Sequence, residues 1–233
     1  MVILASMKTI AEVIARMRAL DAALDLGDGV GWFNKMYLRT TEGVAAAWRA
    51  GAFEEASVLE QLDCIFADYF FKAKATWDAD RDATPRAWAA LFEARSSPRI
   101  APLQFALCGM NAHINRDLAF ALVDTWEAHG EAPSKGSPEH RDYLRINGIL
   151  RTIEDDVKRW FSTGFIGKVD DALGNADDLA ALWSIERARD SAWNHAEMLW
   201  FLRDSPGPRA TYVETLDRVI GLAGRAMLLP RIG

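Results

Sequence analysis

Cysteine and histidine are scarce, with two cysteines and four histidines in 233 residues. Cys64 and Cys108 stand in apolar helical stretches without Cys-x-x-Cys or Cys/His spacing. That excludes a disulfide framework and a zinc finger, and it suits a reducing cytoplasm. Strand-type alternation is almost absent, so a sheet is not expected. Long apolar runs are missing too. The longest uncharged stretch, Ile100 to Asn115, falls short of the roughly 20 residues a bilayer span needs, and it contains Gln104, Asn111, His113 and Asn115. The start, Met1-Val2-Ile3-Leu4-Ala5, is too short for a signal h-region and has no basic segment before it. Positive charge is not in excess: 27 Lys and Arg stand against 33 Asp and Glu, a net charge of −6. Nucleic acid is therefore not an expected partner, because phosphate binding needs clustered positive charge. A membrane is not expected either, and the location predicted is cytoplasmic.

What is present is apolar and helical. Half of the residues are hydrophobic, and nine are Trp, each burying a large surface and carrying an N–H that wants an acceptor. Thr9 with Glu12 reads as a capping box ahead of a stripe formed by Ile10, Val13, Ile14, Met17, Leu20 and Leu24. Gly27, Gly29 and Gly31 break that helix. No strand precedes them and no Gly-Lys-Ser/Thr follows, so they are not read as a phosphate loop. Further helices are predicted over Val30 to Arg39, from Thr41 to near Gly51, over Phe53 to about Thr76, and from Thr84-Pro85 through Ala94. A long, centrally buried helix runs from Pro102 towards Ala128. After a loop from Gly130 to Pro138, helices cover Ser137-Pro138 to about Gly164, with an irregularity at Asn147-Gly148, then Asp177 to Arg203 and Arg209 to Leu228. The expected architecture is all-α: one compact bundle of about seven to nine helices around a central buried helix, filling 1–233 as a single domain.

Chemistry is sought where a polar residue interrupts a buried face, since burying it without a partner costs free energy. Asp63 lies near the centre of the face formed by Leu59, Leu62, Phe66 and Phe70. It is either a functional carboxylate, one paired with an arginine, or a side chain at the rim of the face. Asp68 projects to the other side and is expected in solvent. On the central helix, Asn111 and Asn115 share one face with Gln104, while His113 and Asp117 lie four apart on nearly the opposite face. That pair can orient an imidazole through a carboxylate, place two ligands on one metal, or knit helices together. On the 177–203 helix, Leu179, Leu182, Trp183, Trp193, Trp200 and Phe201 share a face with Glu186, Asp190 and Glu197. Opposite runs a strip of Ala181, Ala188, Ala192 and Ala196. Acids among tryptophans are candidate general acids or acceptors for indole N–H groups, and Glu186 with Arg189 or Asp190 with Arg187 would make ordinary ion pairs. Ile146, Ile149, Leu150, Ile153, Val157 and Trp160 form a plain core stripe, with Arg151, Asp155 and Lys158 as an ion-pair ladder opposite.

The segment Ala112-His113-Ile114-Asn115-Arg116-Asp117-Leu118 resembles the central helix of a domain-of-unknown-function family of helical proteins common in actinobacteria. Tyr37 to Thr41, Asp63 before Phe66, Ile146-Asn147 and Asp190 to Trp200 are similar to its other signature stretches. The resemblance implies a compact helical fold with no established general function. His113 and Asp117 also resemble the His-x-x-x-Asp helix of the zinc phospholipase C and single-strand nuclease group. Here, though, Leu118 to Val123 supplies no further histidine. The two Glu-x-x-His motifs of a ferritin-type dimetal bundle are absent as well.

Three functions are compatible with these residues. The first is a cofactor-independent enzyme acting on a largely apolar small molecule by cyclisation, isomerisation or elimination in a Trp-lined cavity. In it His113, Asp117, Asp63 and Asp190 carry the acid–base chemistry, and Asn111, Asn115, Glu186, Trp183 and Trp193 bind the substrate. The second is a divalent-metal-dependent hydrolase using the same His and Asp residues. The third is a non-catalytic binding protein whose polar residues only fix helix register.

Overall fold

A computed structural model describes residues 6–163 and 184–229, with the backbone alone over 153–163. The described residues form helices and no strand, as the periodicity requires. In chain order these are α1 (Ile10–Ala23), α2 (Gly29–Arg49), α3 (Ala56–Ala79), α4 (Arg86–Ala94) and α5 (Pro102–Ala112). A π-helical turn, His113–Asp117, joins α5 to α6 (Leu118–His129). Then follow α7 (Pro138–Thr163), α8 (Ile185–Phe201) and α9 (Pro206–Met227). The expected features at Asp177, Leu179, Ala181, Leu182 and Trp183 lie outside the described residues, as do the side chains of Ile153, Asp155, Val157, Lys158 and Trp160.

The α5–π–α6 rod is the axis of the bundle. Helices α2, α4 and α9 pack on its first half, and α3 and α8 on its second. Its side chains are buried nearly all round, from Phe105, Ala106 and Cys108 to Ala119, Val123 and Trp126. The crossing of α2 and α5 is reciprocal. A Cβ on Gly29 would sit 2.5 Å from the Phe105 ring, and one on Gly109 would sit 2.4 Å from Phe33. Each helix thus offers a glycine notch to the other's phenylalanine one turn away, which brings the two backbones close together.

Local chemistry explains the helix ends. Thr9 accepts the Glu12 N–H at 3.2 Å, but the Glu12 carboxylate accepts the Lys8 N–H at 2.7 Å, one residue earlier than a capping box requires. Asp28 caps α2 by accepting the Val30 N–H at 2.8 Å, and it also pairs with Arg95. The glycine cluster is therefore a helix junction. At the same end of the rod, Gln104 accepts the Ala101 N–H and donates to the carbonyls of Met227 and Leu229, anchoring the end of α9.

The structure corrects four expectations. Helix α2 is continuous through Thr41, whose hydroxyl donates to the Tyr37 carbonyl at 3.0 Å instead of capping a new helix. Helix α7 runs unbroken through Asn147-Gly148, because the Asn147 side chain accepts from Arg189 at 2.7 Å and does not compete for its own backbone. Asp68 is 4% exposed rather than solvated. It accepts the Ser6 hydroxyl at 2.5 Å and lies 3.7 Å from Arg16, whose guanidinium stacks over Phe71. Finally, the central helix is not one regular α-helix. The inserted π residue turns α6 by about 100° relative to an unbroken rod.

Candidate active site around His113

His113 is the first residue of the π turn and is fully buried. Its Nδ1 lies 3.1 Å from Asp117 Oδ2, which also accepts the Trp88 indole N–H at 2.8 Å. Asp117 Oδ1 accepts from Arg116 at 2.7 Å, and Arg116 reaches on to Asp217 at 2.9 Å. A carboxylate oriented by an indole and a guanidinium accepts the proton of Nδ1 and leaves Nε2 with its lone pair. Burial lowers the His113 pKa below the ordinary 6.5, with the bond to Asp117 opposing it. The imidazole is thus neutral at physiological pH. Phe66 stacks on it at 3.6 Å and 7°, and Tyr37 meets it edge-on at 4.4 Å, which fixes the ring plane.

Among the described residues, His113 Nε2 has no hydrogen-bond partner, and neither do two other buried atoms nearby, Tyr37 Oη and Asp63 Oδ2. All three residues line one cavity of about 50 Å³. Its remaining wall is mainly apolar, including Val44, Leu59, Leu62, Met110, Ile114, Ile146 and Leu150, and Arg189 closes it from α8. Burial, and secondarily Glu60, pushes the Asp63 carboxyl from 3.8 up to about 7. The Tyr37 hydroxyl is raised well above its ordinary value by burial first, then by the charges of Asp63 and Asp117. The cavity therefore holds a neutral imidazole with a free lone pair, a carboxyl poised between acid and base, and a phenol that stays protonated.

A larger cavity of about 440 Å³ lies beside it, also bounded by Leu59 and Leu62, with Trp126, Tyr143, His129, Glu139 and Trp193 in its wall. Trp126 and Trp193 meet edge-to-face at 5.3 Å. The Trp193 indole donates to Glu197 at 3.0 Å. This is the tryptophan-lined space, but the acids expected in it stand elsewhere.

Of the candidates read from the sequence, the structure gathers His113, Asp63 and, behind His113, Asp117. Asp190 is exposed on α8 and lines neither cavity. Glu186 pairs with Arg151 at the surface instead of with Arg189. Asn111 donates to the Ile220 carbonyl at 3.0 Å and accepts from Asn115 at 3.1 Å. Those two amides join the rod to α9, away from His113. Two cavity residues were not singled out, Tyr37 and Arg189. Each carried a signal: Tyr37 continues the Phe33, Thr41, Val44 stripe, and Arg189 is a lone charge inside the Ala188, Ala192, Ala196 strip.

The model of a family of unknown function, DUF5995, matches residues 10–230, and the chain belongs to that family. No curated protein and no solved structure matches it.

Proposed function

We propose that this protein is a small-molecule enzyme working by general acid–base chemistry in the inner cavity. His113 Nε2 is the candidate base, Asp63 the candidate acid, and Tyr37 a neutral hydrogen-bond donor. Asp117 is a positioning residue that sets the His113 tautomer. The observation that carries this reading is that three residues, each with a buried polar atom unpartnered among the described residues, line one cavity. Each such atom costs about 1–3 kcal/mol when left unsatisfied, so a fold that keeps three together holds them for something that binds there. Apolar walls around these few groups suit a substrate with a largely apolar body, turned over by proton transfer in an isomerisation, cyclisation or elimination.

A metal-dependent hydrolase has less support. Among the described residues no three His, Cys, Asp or Glu side chains gather to hold an ion. The Asp117 carboxylate is already shared by Trp88, His113 and Arg116.

The test is untargeted mass spectrometry of a small-molecule extract incubated with the wild type, Asp63→Asn and His113→Gln. The expected result is a substrate–product pair that the wild type interconverts and both folded variants leave unchanged. If the wild type and the variants give the same metabolite profile, the acid–base reading is refuted.

A further inference from the structure

Arg189 is 5% exposed, yet among the described residues it contacts no carboxylate. Its Nε donates to Asn147 Oδ1 at 2.7 Å and its Nη2 to the Tyr143 carbonyl at 2.7 Å. The guanidinium lies 4.1 Å over the Tyr143 ring. These three contacts orient the group without neutralising it, and Nη1 donates to nothing among the described residues. Arginine stays protonated even when burial lowers its pKa, so a full positive charge faces the cavity wall. A buried charge is ordinarily paired, and the missing partner is an anion.

Resting on the acid–base reading above, we propose that the inner cavity takes the carboxylate head of a monocarboxylate substrate. Arg189 Nη1 and Tyr37 Oη are its donors, and His113 Nε2 faces the carbon or hydroxyl beside it. Four titratable groups line the cavity: Tyr37, Asp63, His113 and Arg189. One guanidinium beside a neutral imidazole balances a single negative charge, which favours a carboxylate over a phosphate dianion. A space of about 50 Å³ suits a small head group and not a whole metabolite. Because Nε2 is an acceptor, it cannot bind the carboxylate itself. It is left to receive a hydrogen from the neighbouring position, so a 2-hydroxy acid fits better than a simple acid.

The experiment is a titration of the full chain, followed by amide chemical shifts, with acetate, glycolate, inorganic phosphate and acetamide, the last as a neutral isostere of acetate. Saturable binding of acetate is expected, with glycolate several-fold tighter and acetamide and phosphate at least tenfold weaker. Arg189→Gln weakens acetate at least tenfold, and Tyr37→Phe weakens it less. Equal affinity for acetate and acetamide on the wild type overturns the proposal without recourse to any variant. So does tighter binding of phosphate than of acetate, or unchanged acetate affinity in folded Arg189→Gln. The two readings fail separately. Conversion that depends on Asp63 and His113 but shows no carboxylate preference sinks only the anion assignment. Arg189-dependent acetate binding without conversion of any molecule sinks only the acid–base reading.

Discussion

Replacing Asp63 by Asn makes the energetics of the cavity measurable. In the unfolded chain this carboxyl ionises near 3.8, whereas in the fold it holds its proton to about 7. The native state therefore binds the proton more tightly than the unfolded state does, and between those values stability falls as pH rises. Only well below pH 3.8 are both states protonated, and there the residue carries no ionisation penalty. Above pH 7 the native state bears the full cost of a half-buried carboxylate whose Oδ2 has no partner among the described residues. A difference of about 3 between the two pKa values sets a ceiling of ~4 kcal/mol for that cost. Asn keeps the shape and cannot ionise. Asp63→Asn is thus expected, apart from a constant offset, to gain about 1 kcal/mol over the wild type already at pH 4.5 and about 3 kcal/mol more as pH rises to 8. Urea unfolding of both proteins at half-unit steps between pH 4.5 and 8.5 reads the gap directly. Taking the difference between the two proteins isolates Asp63 from the His113 contribution, which runs the other way as pH falls below 6.5. A gap that is flat with pH, or that favours the wild type at pH 8, refutes the claim that Asp63 Oδ2 is buried without a partner.

Trp88→Phe keeps most of the ring packing but withdraws the indole donor from Asp117, and it should destabilise the protein by about 1–3 kcal/mol in denaturant titrations. Gly109→Ala drives a methyl group into Phe33 and should cost about 1–3 kcal/mol. As a comparison, Gly51→Ala meets open space and bears only the strain of its positive φ, about 1 kcal/mol. Long-range ¹H–¹⁵N spectra at pH 6 should show His113 neutral with its proton on Nδ1; a protonated ring or an Nε2–H tautomer would contradict the Asp117 geometry. In Asp117→Asn that tautomer preference should weaken, because an amide can donate to Nδ1 as readily as accept from it.

Much of the fold was legible in the chain because helical periodicity is a local property. The stripes of α1 and α3 and the Pro and Gly punctuation fall within a few residues of the observed helix ends, and the His113–Asp117 spacing holds as read. Legibility fails where a side chain's fate depends on another helix. Asp68 looked solvated on its own helix and is buried because Ser6 and Arg16 cover it. Thr41 looked like a cap, and Asn147-Gly148 looked like a break. In both cases the side chain's partner, not its propensity, decided the outcome. The acids on α8 looked enclosed by tryptophans, but they stand at the rim, with Arg189 turned inward in their place.

By itself, then, the sequence determined an all-helical chain with a buried central rod and a histidine held by a carboxylate one turn away, since each of these is set within a single helix. Only the tertiary structure decided the cavity. Tyr37, Asp63, His113 and Arg189 come from α2, α3, the π turn and α8, and their meeting depends on how four helices cross. A 3.6-residue period fixes which face of a helix is buried, but it carries no information about which other helix that face will meet.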